Sequence, residues 1–227
     1  MIRVSVLGAH GRMGEAICRL LKDDPRFKIV AGIDRTTSLK TVIHDTDVVI
    51  DFSTREATLQ NISIIVEAQK AVVVGTTGFS QKEREDFLKI ARHVPCVFAP
   101  NMSVGVNVLF KLARELTKTL KNYDIEIIEA HHNKKKDAPS GTALKIKEKI
   151  EKSLEEERVQ KTIPVHAVRA GDVVGDHTII YATEGERLEL THRASSRDTF
   201  AKGAIEAAAW IVNKKPGVYD MGDVLSL

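Results

Sequence analysis

The chain has 227 residues, of which 43% are hydrophobic, and its 34 basic and 31 acidic residues leave a net charge of +3. This length and composition are typical of a globular protein with one or two domains, and the small net charge argues against a nucleic-acid partner. No apolar run approaches the roughly 18 residues that a membrane span needs, and no secretion signal precedes the strand predicted from residue 2, so we expect a cytoplasmic protein without membrane contact.

In the first hundred residues, short apolar runs alternate with helical patterns. Runs rich in β-branched residues and separated by helices are typical of parallel strands that are buried on both faces. Because crossovers between parallel strands are right-handed, the pattern predicts a Rossmann-type doubly wound sheet whose ligand crevice lies beyond the carboxyl ends of the strands. The predicted strands are residues 2–7, 28–33, 48–50, 72–74 and 96–98, and the predicted helices are residues 15–21, 55–69 and 81–92.

The pattern changes after residue 104. Alternation of apolar and polar residues predicts a second α+β unit with a mostly antiparallel sheet, of which one face is packed and the other is more open. An alanine-rich helix at residues 199–212 follows, and we expect it to return to the first unit. The predicted helices of the second unit are residues 106–120 and 142–157, and its predicted strands are residues 124–130, 163–169, 177–182 and 187–192.

A glycine turn joins the first predicted strand to the first predicted helix. Gly8, Gly11 and Gly14 occupy this turn, and Asp34 ends the second predicted strand twenty positions after Gly14. A strand, a glycine turn, a helix, a strand and a terminal acid form the dinucleotide-binding βαβ fingerprint, in which the helix N-terminus faces the phosphates. The spacing Gly-x-x-Gly-x-x-Gly departs from the common Gly-x-Gly-x-x-Gly, so the prediction depends on the flanking elements.

The residues near the adenosine end of such a cofactor allow two alternatives. Asp34 can accept hydrogen bonds from the ribose hydroxyls, which favours NADH, whereas Arg35 and Arg12 can pair with a 2′-phosphate, which admits NADPH. At two later strand ends, backbone groups and short hydroxyls suit the nicotinamide carboxamide and its ribose. These residues are Gly75, Thr76 and Thr77 after one strand, and Ala99, Pro100, Asn101 and Met102 after the next.

The densest chemistry in the chain lies in residues 129–142. Two histidines end a strand, three lysines follow in a loop, and a Pro-Ser-Gly-Thr sequence opens a helix. An imidazole gives a proton near neutral pH, and a nearby cation makes it a stronger acid. Amides and hydroxyls at a helix N-terminus bind a carboxylate. This donor-rich basic region therefore suits a small dianionic substrate.

Metal binding and disulfide formation are not predicted. The two adjacent histidines lack a third ligand at a recognisable spacing, and the neighbouring lysines oppose the binding of a cation. Cys18 and Cys96 stand alone in apolar surroundings, so we expect two buried, reduced thiols.

The chain resembles the bacterial dihydrodipicolinate reductase (4-hydroxy-tetrahydrodipicolinate reductase) family. The stretch from His131 to Thr142 is highly specific to that family, whereas the glycine loop is not. The resembling segments keep the family order over nearly the whole chain and are residues 8–14, 75–79, 99–107, 129–144, 169–177 and 191–204.

The resemblance implies an enzyme that reduces 4-hydroxy-tetrahydrodipicolinate to tetrahydrodipicolinate with NADH, NADPH or both, in lysine and diaminopimelate biosynthesis. It implies that His131 is the proton donor and that Lys135 assists as a second donor and cation. Substrate binding is implied at His132, Gly141 and Thr142, and the helix-opening pattern adds Ser140. Implied cofactor contacts are Gly8, Ala9, His10, Gly11, Arg12, Met13, Asp34, Arg35, Gly75, Thr76, Thr77, Ala99, Pro100, Asn101 and Met102.

The resemblance also implies a homotetramer whose subunits each have two domains that close around the ligands. Residues 1–103 and 198–227 would form the dinucleotide-binding domain. Residues 104–197 would form the substrate-binding and oligomerisation domain, with a mixed sheet that builds the tetramer contact. Arg197 lies at the return to the first domain, where it either reaches the substrate or ties the domains together. The connections after Asp34 and after the helix near Lys145 look short for the family.

Two other function classes fit the residues less well. A non-catalytic NAD(H)-sensing regulator would need an effector module, and the sequence shows no helix-turn-helix segment or basic recognition helix. A dehydrogenase of the aspartate or homoserine type would not need the stretch from His131 to Thr142.

Overall fold

The structure is a computed structural model that describes residues 1–34 and 36–227. The chain divides into two compact units. Met1–Val104 and Asp198–Leu227 form the first unit, and Gly105–Arg197 forms the second. In chain order the elements are β1 (Ile2–Leu7), α1 (Arg12–Lys22), β2 (Phe27–Ile33), β3 (Val48–Asp51), α2 (Arg55–Glu67), β4 (Ala71–Val74), α3 (Gln81–Ala91), β5 (Pro95–Phe98), α4 (Val104–Thr119), β6 (Asp124–His131), α5 (Gly141–Glu156), β7 (Val165–Arg169), β8 (Gly175–Thr183), β9 (Glu186–Ala194), α6 (Asp198–Ile211), β10 (Gly217–Tyr219) and α7 (Met221–Leu225).

The first unit is built on a parallel sheet in the order β10-β5-β4-β3-β1-β2. Both faces are covered, which is why its central strands consist of buried β-branched residues. On β3, Val48 and Ile50 join the core formed with α1, α6 and α7, whereas Val49 joins the core formed with α2 and α3. The predicted doubly wound sheet is confirmed. The short elements β10 and α7 were not predicted.

The second unit contains a sheet in the order β7-β6-β8-β9. β6 pairs in parallel with β7 and antiparallel with β8, and β8 pairs antiparallel with β9, so the predicted mixed, mostly antiparallel sheet is confirmed. One face packs against α4 and α5, where Ile127 and Ile179 meet Ile146 and Ile150 in a shared core. On the other face of β6, Ile128 remains partly exposed.

Both cysteines are free thiols, as expected. Cys96 on β5 is buried, whereas Cys18 on α1 is only half-buried, so the expectation of full burial was wrong for Cys18. Among the described residues, no helix combines the length and the apolar character needed to cross a bilayer.

Candidate functional site

A cleft of about 330 Å³ opens at the carboxyl ends of the parallel strands in the first unit. This is the position that the doubly wound topology predicts for a ligand. Many of the predicted cofactor residues meet there, together with Phe52, Ser53 and Phe200, which were not among the predicted cofactor contacts. The lining residues are Met13, Phe52, Ser53, Gly75, Thr76, Thr77, Pro100, Asn101, Met102 and Phe200.

The glycine loop brings the start of α1 close to β1. A Cβ atom at Gly14 would lie 2.1 Å from the carbonyl oxygen of Gly8, and Gly8 itself has a φ of +76°, so both positions require glycine. Gly11 is the N-cap of α1, and no side chain of the described residues caps this helix end. The first amides of α1 are therefore free of a capping side chain, as a bound phosphate group requires. These features fit a dinucleotide.

Asp34 lies at the end of β2 and already has local partners. Its Oδ1 atom accepts hydrogen bonds from the amide and the hydroxyl of Thr36, both at 2.7 Å, and its Oδ2 atom lies 3.2 Å from Nε2 of His10. The hydrogen bonds from Thr36, together with His10, lower the pKa of Asp34. Arg12 is exposed. Arg35 lies outside the described residues.

Asp51 supports the base of the cleft from the end of β3. It is buried, and its Oδ1 atom accepts hydrogen bonds from the amide and hydroxyl of Ser53 and from the hydroxyl of Thr76. Burial raises the pKa of Asp51, although these hydrogen bonds oppose the increase. Directly after the adjacent strand β4, a Cβ atom at Gly75 would lie 2.2 Å from the Phe52 ring, so any side chain there would force this ring to move.

Met102 and Ala99 are less accessible than the predicted cofactor contacts suggest. Ala99 is 5% exposed and Met102 is 1% exposed, and both pack into the core beside α1 and α6. A Cβ atom at Gly203 of α6 would lie 1.7 Å from the carbonyl oxygen of Met102, so only glycine allows this helix to approach the loop after β5. Exposed Pro100 and half-buried Asn101 offer more surface at the cleft.

The second unit gathers five polar side chains at the carboxyl end of β6, which we call the His131 cluster: Glu129, His131, Ser140, Arg169 and His177. Oε2 of Glu129 accepts a hydrogen bond from Nδ1 of His131 at 2.5 Å. Nη1 and Nη2 of Arg169 donate to the same carboxylate at 2.9 and 2.7 Å. The amide of Ser140 donates to Oε1 of Glu129 at 3.1 Å.

His177 completes the His131 cluster from β8. Its Nε2 atom lies 3.2 Å from the Ser140 hydroxyl, and its ring meets the His131 ring edge-on with the centroids 5.2 Å apart. Within the described residues, Nδ1 of His177 is buried without a hydrogen-bond partner. Burial, reinforced by the nearby charge of His131, lowers the pKa of His177 to about 3. This imidazole is therefore neutral at ordinary pH.

Opposing influences act on Glu129 and His131. Burial raises the pKa of Glu129, but the hydrogen bonds from Arg169, His131 and Ser140 outweigh it, and the resulting pKa is lowered. Burial lowers the pKa of His131, and Lys135 and Arg169 lower it further, while Glu129 partly offsets them. The result is an ionised carboxylate beside an imidazole that gives up its proton readily.

The predicted substrate-binding residues lie at the start of α5 and in the preceding loop. Ser140 is the N-cap of α5 and is 2% exposed, with its hydroxyl accepting from the amide of Ala143 at 3.2 Å. Gly141 is exposed, and a Cβ atom there would have no described atom within 4 Å. His132 and Thr142 are half-buried. Nζ of Lys135 lies 2.9 Å from Asp137.

Family models for both halves of one enzyme match this chain. The model described as dihydrodipicolinate reductase, N-terminus, matches residues 2–102, and the model described as dihydrodipicolinate reductase, C-terminus, matches residues 105–225. The chain belongs to the dihydrodipicolinate reductase family. The resemblance stated from the sequence is thereby confirmed.

Curated relatives in the dihydrodipicolinate reductase family match over nearly their whole length. The 4-hydroxy-tetrahydrodipicolinate reductase of Aquifex aeolicus is 44% identical over 263 residues, which cover 100% of this chain and 99% of the relative. The enzyme of the same name from Magnetococcus marinus is 46% identical over 263 residues, which cover 99% of this chain and 98% of the relative. Both alignments are longer than the 227 residues of this chain, so the chain carries gaps against these relatives.

A solved structure of a family member shares the fold. The dipicolinate-bound dihydrodipicolinate reductase from Paenisporosarcina sp. TG-14 superposes with a TM-score of 0.78 at 24% identity, and the match covers 97% of each chain. An aspartate semialdehyde dehydrogenase from Vibrio cholerae matches with a TM-score of 0.55 at 11% identity, over 92% of this chain and 97% of that one.

The neutral state of His177 predicts a specific loss of stability in acid. The unfolded chain binds a proton at this histidine near pH 6.5, whereas the folded chain binds it only near pH 3. As the pH falls below about 6.5, protonation therefore favours the unfolded chain, with a slope of up to about 1.4 kcal/mol per pH unit. His177→Gln should remove this component, as measured by denaturant unfolding between pH 7 and about pH 4.

His93→Gln is the matched control, because His93 is an exposed histidine of the first unit. Its unfolding free energy should keep the pH dependence of the unchanged protein. An equally steep loss of stability in the His177 variant would contradict the assignment.

Proposed function

We propose that this protein reduces 4-hydroxy-tetrahydrodipicolinate to tetrahydrodipicolinate with a reduced nicotinamide cofactor, the reaction for which its curated relatives are named. The observation that carries the proposal is the His131 cluster. It holds an oriented imidazole beside the start of α5, and Lys135 lies near enough to lower the pKa of that imidazole, in a chain that both family models match. The first unit would bind the cofactor and the second the substrate.

The reaction consumes one hydride and one proton and releases water and oxidised cofactor. The nicotinamide, when bound, supplies the hydride. His131 would donate the balancing proton from Nε2, because its Nδ1 atom is occupied by Glu129. Lys135 would support the charge near the ring nitrogen of the substrate. The amides at Gly141 and Thr142 would bind one carboxylate, so dipicolinate should act as an unreactive mimic of the substrate.

Replacement of His131 tests this proposal. His131→Asn should lower kcat by about 10²–10⁴-fold, because it removes the proton donor. The KM for NADH should change by less than about twofold, because the glycine loop that would bind the cofactor is untouched. The measurement is substrate-dependent oxidation of NADH with freshly generated substrate. His93→Asn is the control, and a kcat for His131→Asn equal to that of the unchanged protein would remove His131 from the role.

For the cofactor, we propose that both NADH and NADPH are used and that Asp34 sets their relative affinity. Oδ2 of Asp34 faces the exposed His10, so a ribose hydroxyl can share or replace this contact. A 2′-phosphate would meet the carboxylate charge instead and would depend on Arg12, and on Arg35 by the sequence prediction.

Asp34→Asn separates the two cofactors. Loss of a charged hydrogen-bond acceptor should raise the KM for NADH by about 10-fold, whereas the KM for NADPH should stay equal or fall because a repulsive charge is removed. Steady-state assays with each cofactor decide the point. Asp86→Asn, an exposed acid on α3, is the control. Equal changes in the KM values for NADH and NADPH would contradict the role of Asp34.

We also propose that the protein is a homotetramer assembled through the open face of the second sheet. Ile128 on β6 and Val168 on β7 are 38% and 45% exposed, and neighbouring strands place them on the same face. Sedimentation should give four times the 25.1 kDa mass of the chain, and Ile128→Asp should lower it. A monomeric unchanged protein would contradict the proposal.

Cytoplasmic location and the role of Arg197 stay predictions.

A further inference from the structure

Glu129 is a completely buried carboxylate at the centre of the His131 cluster. Burial of a charged group is costly unless the charge is paired and hydrogen-bonded. Glu129 and His131 are two residues apart on β6, so strand alternation turns both side chains to the same face. The chain therefore places a buried acid directly behind the imidazole that we propose as the proton donor.

Both oxygens of this carboxylate accept hydrogen bonds from N–H groups. Oε2 accepts from His131 and from Nη1 of Arg169, and Oε1 accepts from Nη2 of Arg169 and from the Ser140 amide. Nη2 of Arg169 also donates to the carbonyl of Asp137 at 2.6 Å, which ties the guanidinium to the loop before α5. The guanidinium fork matches a carboxylate with two parallel hydrogen bonds and stabilises its ionised form.

An ionised carboxylate can only accept a hydrogen bond, so Nδ1 of His131 must carry the proton in this contact. The other ring nitrogen, Nε2, points toward Gly175 of β8, where a Cβ atom would lie 3.0 Å from it. Glycine at this position leaves room for the imidazole. Glu129 therefore engages the ring at Nδ1, and the proposed transfer of a proton to the substrate would use Nε2.

We propose that Glu129, clamped by Arg169, is a positioning residue that holds His131 in the Nδ1–H tautomer and, through the Ser140 amide, sets its distance from the start of α5. The proposal deepens the proposed function, because it assumes that His131 is the proton donor. Glu129 does not touch the substrate in this account. Its charge also favours the imidazolium form, which opposes the effects of burial, Lys135 and Arg169.

The tautomer of His131 can be measured in the free protein without any turnover. In protein labelled with ¹⁵N-histidine, the His131 signals are assigned by their loss in His131→Asn. At a pH where the ring is neutral, they should report a protonated Nδ1 and an unprotonated Nε2. In Glu129→Gln, Arg169 should take the amide oxygen and leave the NH₂ group facing Nδ1, so the Nε2–H tautomer should increase.

The pH dependence of turnover gives a second test. A histidine general acid must be protonated, so kcat/KM falls as the pH rises through the pKa of His131. Loss of the Glu129 charge disfavours the imidazolium, so Glu129→Gln should move this basic limb to lower pH and reduce kcat near neutral pH by about 10²-fold. Glu129→Asp keeps the charge, so the basic limb of its kcat/KM profile should stay closer to that of the unchanged protein. Its side chain is one methylene shorter and holds His131 less well, so kcat should still fall.

Glu156→Gln is the matched control, because Glu156 is a partly exposed glutamate of the same unit that accepts from Arg114 at 3.0 Å. In Glu156→Gln, the ¹⁵N signals of His131 and the pH profile of kcat/KM should be those of the unchanged protein. An unaltered His131 tautomer together with an unmoved basic limb in Glu129→Gln would overturn the proposal. If the protein instead fails to reduce the substrate at all, the proposed function fails, and the tautomer measurement alone still decides the role of Glu129.

Discussion

The His131 cluster is organised around the ionised, buried carboxylate of Glu129. A buried negative charge needs hydrogen-bond donors around it. His131 on β6, Arg169 on β7 and the amide of Ser140 before α5 supply them. Their pairing joins the strand that carries His131 to the helix whose N-terminus is suited to a carboxylate. The same contacts that make burial of the charge tolerable therefore determine the geometry of the proposed site. Buried, neutral His177 adds a further contact with Ser140 from β8.

In the first unit, the position of the cleft follows from the order of the parallel strands and from steric constraints on the backbone. Parallel strands end at one edge, and glycine is required at Gly14, where the backbone of Gly8 approaches most closely. The Phe52 ring packs against the backbone of Gly75. Asp51 then holds the hydroxyls of Ser53 and Thr76 at the cleft from below. Here the polar groups are mainly backbone amides and short hydroxyls, which suits the recognition of a dinucleotide by its phosphates and carboxamide.

The regular elements were predictable from the sequence because their signals are local. The run Val72–Val74 in β4 consists of β-branched residues between two helical patterns, and β6 alternates with the two-residue period of a strand. The glycine turn lies directly between β1 and α1. β10 and α7 have 3 and 5 residues, too few for a periodic signal, and they were missed. Met102 was selected as a cofactor contact by its place after β5, but only the fold reveals that α6 covers most of it.

The support around His131 was not predictable in the same way. Arg169 is 40 residues from Glu129 in the chain, and His177 is 37 residues from Ser140, so only the pairing of β6 with β7 and β8 brings these groups together. Glu129 was visible at the head of the histidine stretch, but nothing in a single sequence distinguishes a buried acid from an exposed one on an alternating strand. The roles of the selected site residues stay predictions.

A crystal structure of the protein with NAD⁺ and dipicolinate tests the central claim most directly. The account predicts one dipicolinate carboxylate within hydrogen-bond distance of the Gly141 and Thr142 amides, Nε2 of His131 facing the ligand, and Nδ1 still on Glu129. A dicarboxylate bound away from the start of α5, with His131 turned from Glu129 or out of reach of the ligand, would contradict it.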